Sequence, residues 1–473
     1  MLEQSPLQTT RRGAVAAGLA ALAAPAFANS VSIDGFGRAK RCVLIYLWGS
    51  PSQLETFDPK PDAPVEIRGE FGSIASNLPS VRVGEILPRT ARWIDRCAIL
   101  RSLTHEFPIH GTAFATTSVP ATDLQLEGVI RDPRHWPYIG SVVDYVAEQD
   151  GEPIGDIPRN FGLPFQIGSK RRVKPGPFGG YLGSTYDPVW SEFRALGTRS
   201  VLRDAGAPDV PTKVIADPYL GILPTDRFET VAAQDSLARD EWSARLGLLD
   251  RLERPDAASK GSFARHRQMA RRVLTSGKLR TALDVQSEQA AVRERYGMTL
   301  FGQSCLAARR VLEAGGKFVT VCWDEYGLVN TGWDTHVHMR SRMRDELGPG
   351  FDAAFSSLLQ DLHDRGLLED TAIAVISEHG RTPKVQNVAE GGRDHWSRAY
   401  SALFAGGGFA QGKVVGRTDA VAGEVVDAPC SPKDVMATLL HLLGIDPHRT
   451  VVDLMGRPHP AGGEGRVLAD LLA

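Results

Sequence analysis

Three short apolar runs, each cut off by chain breakers, constrain this sequence more than any other feature. Arg41-Cys-Val-Leu-Ile-Tyr-Leu-Trp48 ends at Gly49-Ser50-Pro51. Phe318-Val-Thr-Val-Cys-Trp323 follows an amphipathic stretch, and Ala372-Ile-Ala-Val-Ile376 runs into Ser377-Glu378-His379-Gly380. A strand with one wet face alternates apolar and polar residues, whereas a continuous run suits a strand covered on both faces, as in a parallel sheet. Helical spacing separates the runs. Gly302 to Gly315 carries one apolar face; Phe351, Ala354, Phe355, Leu358, Leu359 and Leu362 carry another, ended by Gly366. Tyr400 to Ala405 reads as a further strand before Gly406-Gly407-Gly408, and Ser431-Pro432-Lys433-Asp434 as a capped helix start. Alternating strand and helix predicts an α/β fold, a three-layer α/β/α sandwich around a mostly parallel central sheet. Its ligands gather beyond the carboxyl ends of the strands.

Residues 29–473 are expected to form one domain, with a loop-rich and helical insertion at about 150–300. Within it, 150–225 is rich in Pro and Gly without clean periodicity, which predicts long ordered loops over the sheet; Thr230 to Gly297 is helical and highly charged. The first 28 residues stand apart. Thr10-Arg11-Arg12 precedes an alanine-rich run from Ala14 to Ala24, then Ala26-Phe27-Ala28: a charged region, a short apolar region and a small-residue cleavage site. The paired arginines point to the twin-arginine export machinery as a partner and to a periplasmic or secreted destination. The apolar run is too short to cross a bilayer, and no later stretch reaches about 18 uninterrupted apolar residues, so no stable membrane span is expected. With 54 basic and 56 acidic residues, the net charge of −2 gives no pull toward nucleic acid. Five cysteines without a CxxC pair argue against a thiolate zinc site, and their odd number excludes a fully paired disulfide scaffold.

The chemistry-bearing residues collect at predicted strand ends. Trp333-Asp334-Thr335-His336-Val337-His338 follows one strand, Ser377-Glu378-His379-Gly380-Arg381-Thr382-Pro383 follows another, and Gly392-Arg393-Asp394-His395-Trp396 lies in the loop after that. Imidazole and carboxylate together suit zinc, manganese or iron, and two close ions hold both the attacking and the leaving oxygen of an ester under displacement. A single such set is most often an ordinary hydrogen-bonded pair; three at related places in one sheet are stronger evidence for a metal or catalytic site. Lys170-Arg171-Arg172 with Lys174, in a Gly/Pro loop, is either an anion-gathering patch or a solvated surface.

These segments, together with Trp48-Gly-Ser-Pro-Ser-Gln-Leu-Glu-Thr-Phe-Asp-Pro-Lys60, Phe301 to Arg310, Gly407-Gly408, Gly416 to Asp419 and Thr438 to Ile445, resemble one family from about residue 40 to the end. It is the exported bacterial family called domain of unknown function 1501, placed in the alkaline phosphatase and sulfatase superfamily. The resemblance implies an alkaline phosphatase-like sandwich and a metal-dependent hydrolase of phosphate or sulfate esters, small or polymeric. One or two divalent ions, zinc, manganese or similar, are its implied cofactors. Carried over, Asp334 with His336 or His338 binds the first ion and His395 completes it. Glu378 and His379 match the Asp-His-Gly segment of the second, with glutamate for aspartate. Many family members have Phe at the position of His379. Arg381 or Arg393 would clamp the anion.

Two departures stand out. Metal-binding superfamily members commonly carry Asp just after the first strand, where this chain has Gly49-Ser50-Pro51-Ser52, with Glu55 and Asp58 the nearest acids. A Ser, Thr or modified Cys nucleophile is expected at the start of the next helix, yet the segment reads Thr104-His-Glu-Phe-Pro-Ile-His-Gly-Thr112. His110 is there a metal ligand, a nucleophile or a helix cap, and Thr112 is the nearest hydroxyl. The rival reading keeps the fold but not turnover, leaving an exported binding or assembly protein; a metal-dependent mutase or transferase ranks behind both.

Overall fold

Strands β1 (Arg41–Leu47), β2 (Cys97–Leu103), β3 (Asn160–Leu163), β4 (Val189–Arg194), β5 (Arg227–Thr230), β6 (Phe318–Trp323), β7 (Thr371–Ile376), β8 (Tyr400–Ala405) and β9 (Lys413–Val415) form one sheet. Their order is β9-β2-β8-β7-β1-β6-β3-β4-β5. The computed structural model describes residues 33–117, 129–195, 197–230, 262–275 and 277–473, with positions 244, 247, 248 and 251. The expected leader lies outside them. Gly35–Ala473 is one compact unit.

The apolar runs sit where continuous burial demands. β1 is central, parallel to β6 on one side and β7 on the other, and Cys42 to Tyr46 are fully buried. β3 continues the parallel set beside β6 and β4 beside β3, while β8 runs against both neighbours and β5 against β4. Val43, Ile45 and Leu47 face helices α3 (Leu300–Glu313) and α4 (Gly348–Asp364), packing into one cluster with Phe301, Phe351, Phe355 and Leu358. The opposite face meets α1 (Thr112–Thr116) and α2 (Ile139–Gln149): the Tyr46 hydroxyl donates to Thr112, Tyr138 bonds Thr320, and Tyr138 packs edge-on to Phe318 at 6.0 Å. Helix α5 (Pro432–Leu442) packs beside α1 and α2, opening on the Ser431–Asp434 capping box expected of it. The architecture is the expected α/β sandwich with a mostly parallel sheet. Among the described residues no helix is long and apolar enough to cross a membrane.

The 150–225 segment corrects the expectation of loops. It supplies β3 and β4, and β5 follows directly, so the region widens the central sheet. Its strand signal is weak for a packing reason. Gly162 in the middle of β3 leaves room for the Trp190 indole of β4; a Cβ there would stand 2.2 Å from the ring. Such a strand shows a glycine between prolines where periodicity looks for an apolar residue.

The core makes a direct stability prediction. Phe355 is fully buried and stacks on Phe351 at 5.3 Å. Phe355→Ala is expected to cost about 3–5 kcal/mol through lost transfer energy and the cavity left behind, read as a lower urea midpoint with unchanged slope.

Candidate metal centre

β1, β6 and β7 release their chains at the same sheet edge, so Trp48–Ser50, Asp324-Glu325 and Ser377-Glu378 emerge side by side. Gly49 is the point where they lock. Its N–H donates to Glu378 Oε1 at 2.8 Å, its carbonyl accepts from Arg381, and its φ is +92°. Asp334 N would lie 2.3 Å from any Cβ at this position, so only glycine fits. Beyond β7, Gly380–Arg381 pairs with His395–Trp396 as a small antiparallel ribbon, which carries His395 back over the edge.

Two groups of side chains converge there: His110, Asp334, His336 and His395, and His110, Glu378 and His379. In the first, Asp334 Oδ1 lies 3.1 Å from His336 Nε2 and 3.5 Å from His395 Nε2; the two Nε2 atoms are 3.0 Å apart; His110 Nε2 is 3.2 Å from Asp334 Oδ2. Metal–ligand bonds of about 2.0–2.1 Å give a tetrahedron with edges of roughly 3.3 Å, and these separations bracket that length.

The far side of each ring fixes its tautomer. His336 Nδ1 donates to Asp394 Oδ1 at 2.7 Å, His395 Nδ1 to the Pro108 carbonyl at 3.1 Å and His379 Nδ1 to the Gly380 carbonyl at 2.8 Å. Those oxygens only accept, so the protons sit on Nδ1 and, in the neutral rings, every Nε2 presents a lone pair inward. Two lone pairs facing at 3.0 Å repel unless a cation lies between them. His379 Nε2 and Glu378 Oε2 are buried with no hydrogen-bond partner. The donor set therefore fits a divalent ion.

The sequence matches the family described as "Protein of unknown function (DUF1501)" over residues 39–472. The chain belongs to the DUF1501 family. No curated relative matches it. Among solved structures it is similar to the PsFucS1 sulfatase from Pseudoalteromonas sp., at 12% identity and a TM-score of 0.40 over 92% of this chain and 73% of that one. It is also similar to the phosphonate monoester hydrolase SpPMH from Silicibacter pomeroyi, at 12% identity and 0.38 over 92% and 76%. Likenesses this distant do not speak for activity.

Of the expected site residues in this DUF1501 chain, His110, Asp334, His336, Glu378, His379 and His395 come together. Of the pair left open, His336 reaches Asp334; His338 stands 4.0 Å from Asp204 instead. Thr112 is fully buried and its hydroxyl oxygen accepts from Tyr46 at 3.4 Å. The anion clamp is formed by neither arginine. Arg381 is wholly buried, its guanidinium spread over the Ser50, Gly49 and Arg393 carbonyls and Asp334 Oδ1. Arg393 is equally buried against Glu55 and the Thr382, Pro383 and Ile67 carbonyls. Asp58 pairs with Lys60 and Arg101, so neither Glu55 nor Asp58 replaces the aspartate absent after β1. Gly49 N–H holds Glu378 there, and Ser50 Oγ accepts from His379 N–H at 3.1 Å.

Several contributors were not assigned to this site from the sequence. Trp48 stacks on the His110 ring at 4.4 Å, and Lys174 lies over Trp48 at 4.9 Å while pairing with Glu325. His105 bonds the Glu378 carbonyl at 2.7 Å, and Asp394 orients His336. Position gave the available signals: Trp48 directly follows β1, and Asp394 directly precedes His395.

Charge is balanced tightly. Burial alone would raise the Asp334 carboxyl, but Arg381 and His110 outweigh it and hold it well below the usual range. Glu378 is likewise lowered by His110 against its own burial. Burial would lower His110, yet Asp334 and Glu378 lift it to about 9. Burial, then the charges of Arg381, His110 and His395, keep His379 neutral. A base raised from 6.5 to about 9 stabilises the fold fully below 6.5, and that stability is lost as pH rises through 9. Metal-free protein is therefore expected to lose stability between about pH 6.5 and 9 more steeply than His110→Gln, measured as the difference in urea midpoints.

Proposed function

We propose that this chain is a metal-dependent hydrolase of phosphate or sulfate esters, exported through the twin-arginine route and active in the periplasm or outside the cell. One observation carries the reading. Three histidines, each with its Nδ1–H committed to an acceptor, turn Nε2 toward two adjoining groups, each holding one buried carboxylate. Asp334, His336, His395 and His110 would hold one divalent ion, and Glu378 with His379 a second. Zinc and manganese both suit such nitrogen and oxygen donors. A bound ion supplies Lewis-acid polarisation of the ester's oxygen.

The chain's own residues do the rest. Asp394, Pro108 and Gly380 hold the imidazoles in their donor orientation, and second-sphere partners of this kind typically matter about 10–100-fold for affinity. Arg381 fixes Asp334 and the Gly49–Ser50 turn, so its role here is positioning. His110 lies between both groups, in the segment where the resemblance leads one to expect a hydroxyl nucleophile. Thr112 faces Tyr46 rather than these groups.

That last point favours a second reading, an exported binding or assembly protein that keeps the pocket without turnover. The two separate experimentally. Purified protein is expected to carry at least about one equivalent of zinc or manganese and to cleave an aryl phosphate or aryl sulfate. Less than about half an equivalent together with no cleavage would discard the hydrolase. Bound metal without cleavage, with function intact in His379→Ala and His395→Ala, would leave the binding protein. Asp394→Asn is expected to weaken metal binding about 10–100-fold with the fold unchanged, measured by competition with a chelator dye.

A further inference from the structure

His110 belongs to both converging groups, and it meets them with different nitrogens. Nδ1 lies 2.7 Å from Glu378 Oε1, and Nε2 lies 3.2 Å from Asp334 Oδ2, off the line of a hydrogen bond. The two nitrogens of an imidazole point away from opposite sides of the ring, so they address opposite sides of the pocket. On the Nε2 side stands Asp334, which also meets His336 and His395; on the Nδ1 side stands Glu378, whose Oε2 has no partner and whose chain neighbour His379 has an unpartnered Nε2 and belongs to the same group. The ring has little freedom to choose one side. Trp48 covers its face at 4.4 Å with 24° between planes, and His395 closes on it edge-on at 4.1 Å.

We infer that His110 is a bridging ligand, an imidazolate joining two divalent cations, one held with Asp334, His336 and His395 and the other with Glu378 and His379. The inference rests on the metal-dependent reading above and adds a ligand shared between the two ions. The exchange balances without electron transfer. Each cation replaces one ring proton, both protons leave to solvent, and a nitrogen–metal bond forms on each side. Glu378 Oε1 gives up its bond to the ring but keeps the Gly49 N–H at 2.8 Å. A ring-bridged pair stands on the order of 6 Å apart, two metal–nitrogen bonds plus the ring's width. Two-metal sites in hydrolases more often have about 3.5–4 Å between ions.

Copper(II) alone, titrated into the metal-free full chain and read by electron paramagnetic resonance, tests the bridge. An imidazolate couples the spins of two copper ions. The expected result is about two equivalents bound with a signal well below that of two independent ions. His110→Ala, checked for folding by circular dichroism, is expected to restore an uncoupled signal; should that variant not fold, the wild-type spectrum decides by itself. Two equivalents with fully independent signals overturn the bridge and leave the metal site standing, as does one equivalent with a single uncoupled signal. Less than about half an equivalent removes the metal-dependent reading and the bridge with it.

Discussion

Two carboxylates, Asp334 and Glu378, are buried at one edge of the sheet, and the surrounding structure is organised by the need to neutralise them. An unpaired buried carboxylate costs several kcal/mol, so each has drawn in positive or donor groups from distant parts of the chain. Asp334 has Arg381 and His110; Glu378 has His110 and the Gly49 amide. Arg381 in turn needs acceptors, which the carbonyls after β1 supply. The turn at Gly49-Ser50 is thus shaped by charge compensation as much as by the end of a strand. It admits no side chain at Gly49 because Asp334 is already there.

This arrangement explains how the pocket keeps its donors with no aspartate directly after β1. The missing aspartate after β1 is replaced by a backbone amide and a serine hydroxyl that hold Glu378 and His379 in place. The histidine at position 110 brings a ring that Asp334 and Glu378 bias toward its protonated form. The basic loop at 170–174 joins the same edge. Lys174 and Arg171 neutralise the fully buried Glu325, and Lys174 rests on the Trp48 indole that stacks on His110. Its charges therefore serve both an internal acid and the packing around the site.

Much of this was legible in one dimension. The runs at 41–48, 318–323 and 372–376 became adjacent parallel strands because a continuous apolar run has nowhere else to be covered on both faces. His336, His379 and His395 stood out because they follow strands of such a sheet. The failures are equally physical. Gly162 hid β3 because its missing side chain makes room for Trp190. Arg381 and Arg393 looked like anion clamps, since composition does not reveal that Asp334 and Glu55 already hold them. Trp48, His105 and Tyr46 carried no polar pattern to mark them.

The amino-acid order by itself determined the family, through the motifs shared with it, and the α/β class and the sheet edge at which the imidazoles and acids collect, because hydrophobic periodicity and chain breakers are local properties. Tertiary structure alone decided which His serves Asp334, that His110 lies between Asp334 and Glu378, and that both guanidiniums are consumed internally. Those outcomes depend on distances of about 3 Å between residues as far as 338 positions apart, which no local pattern encodes.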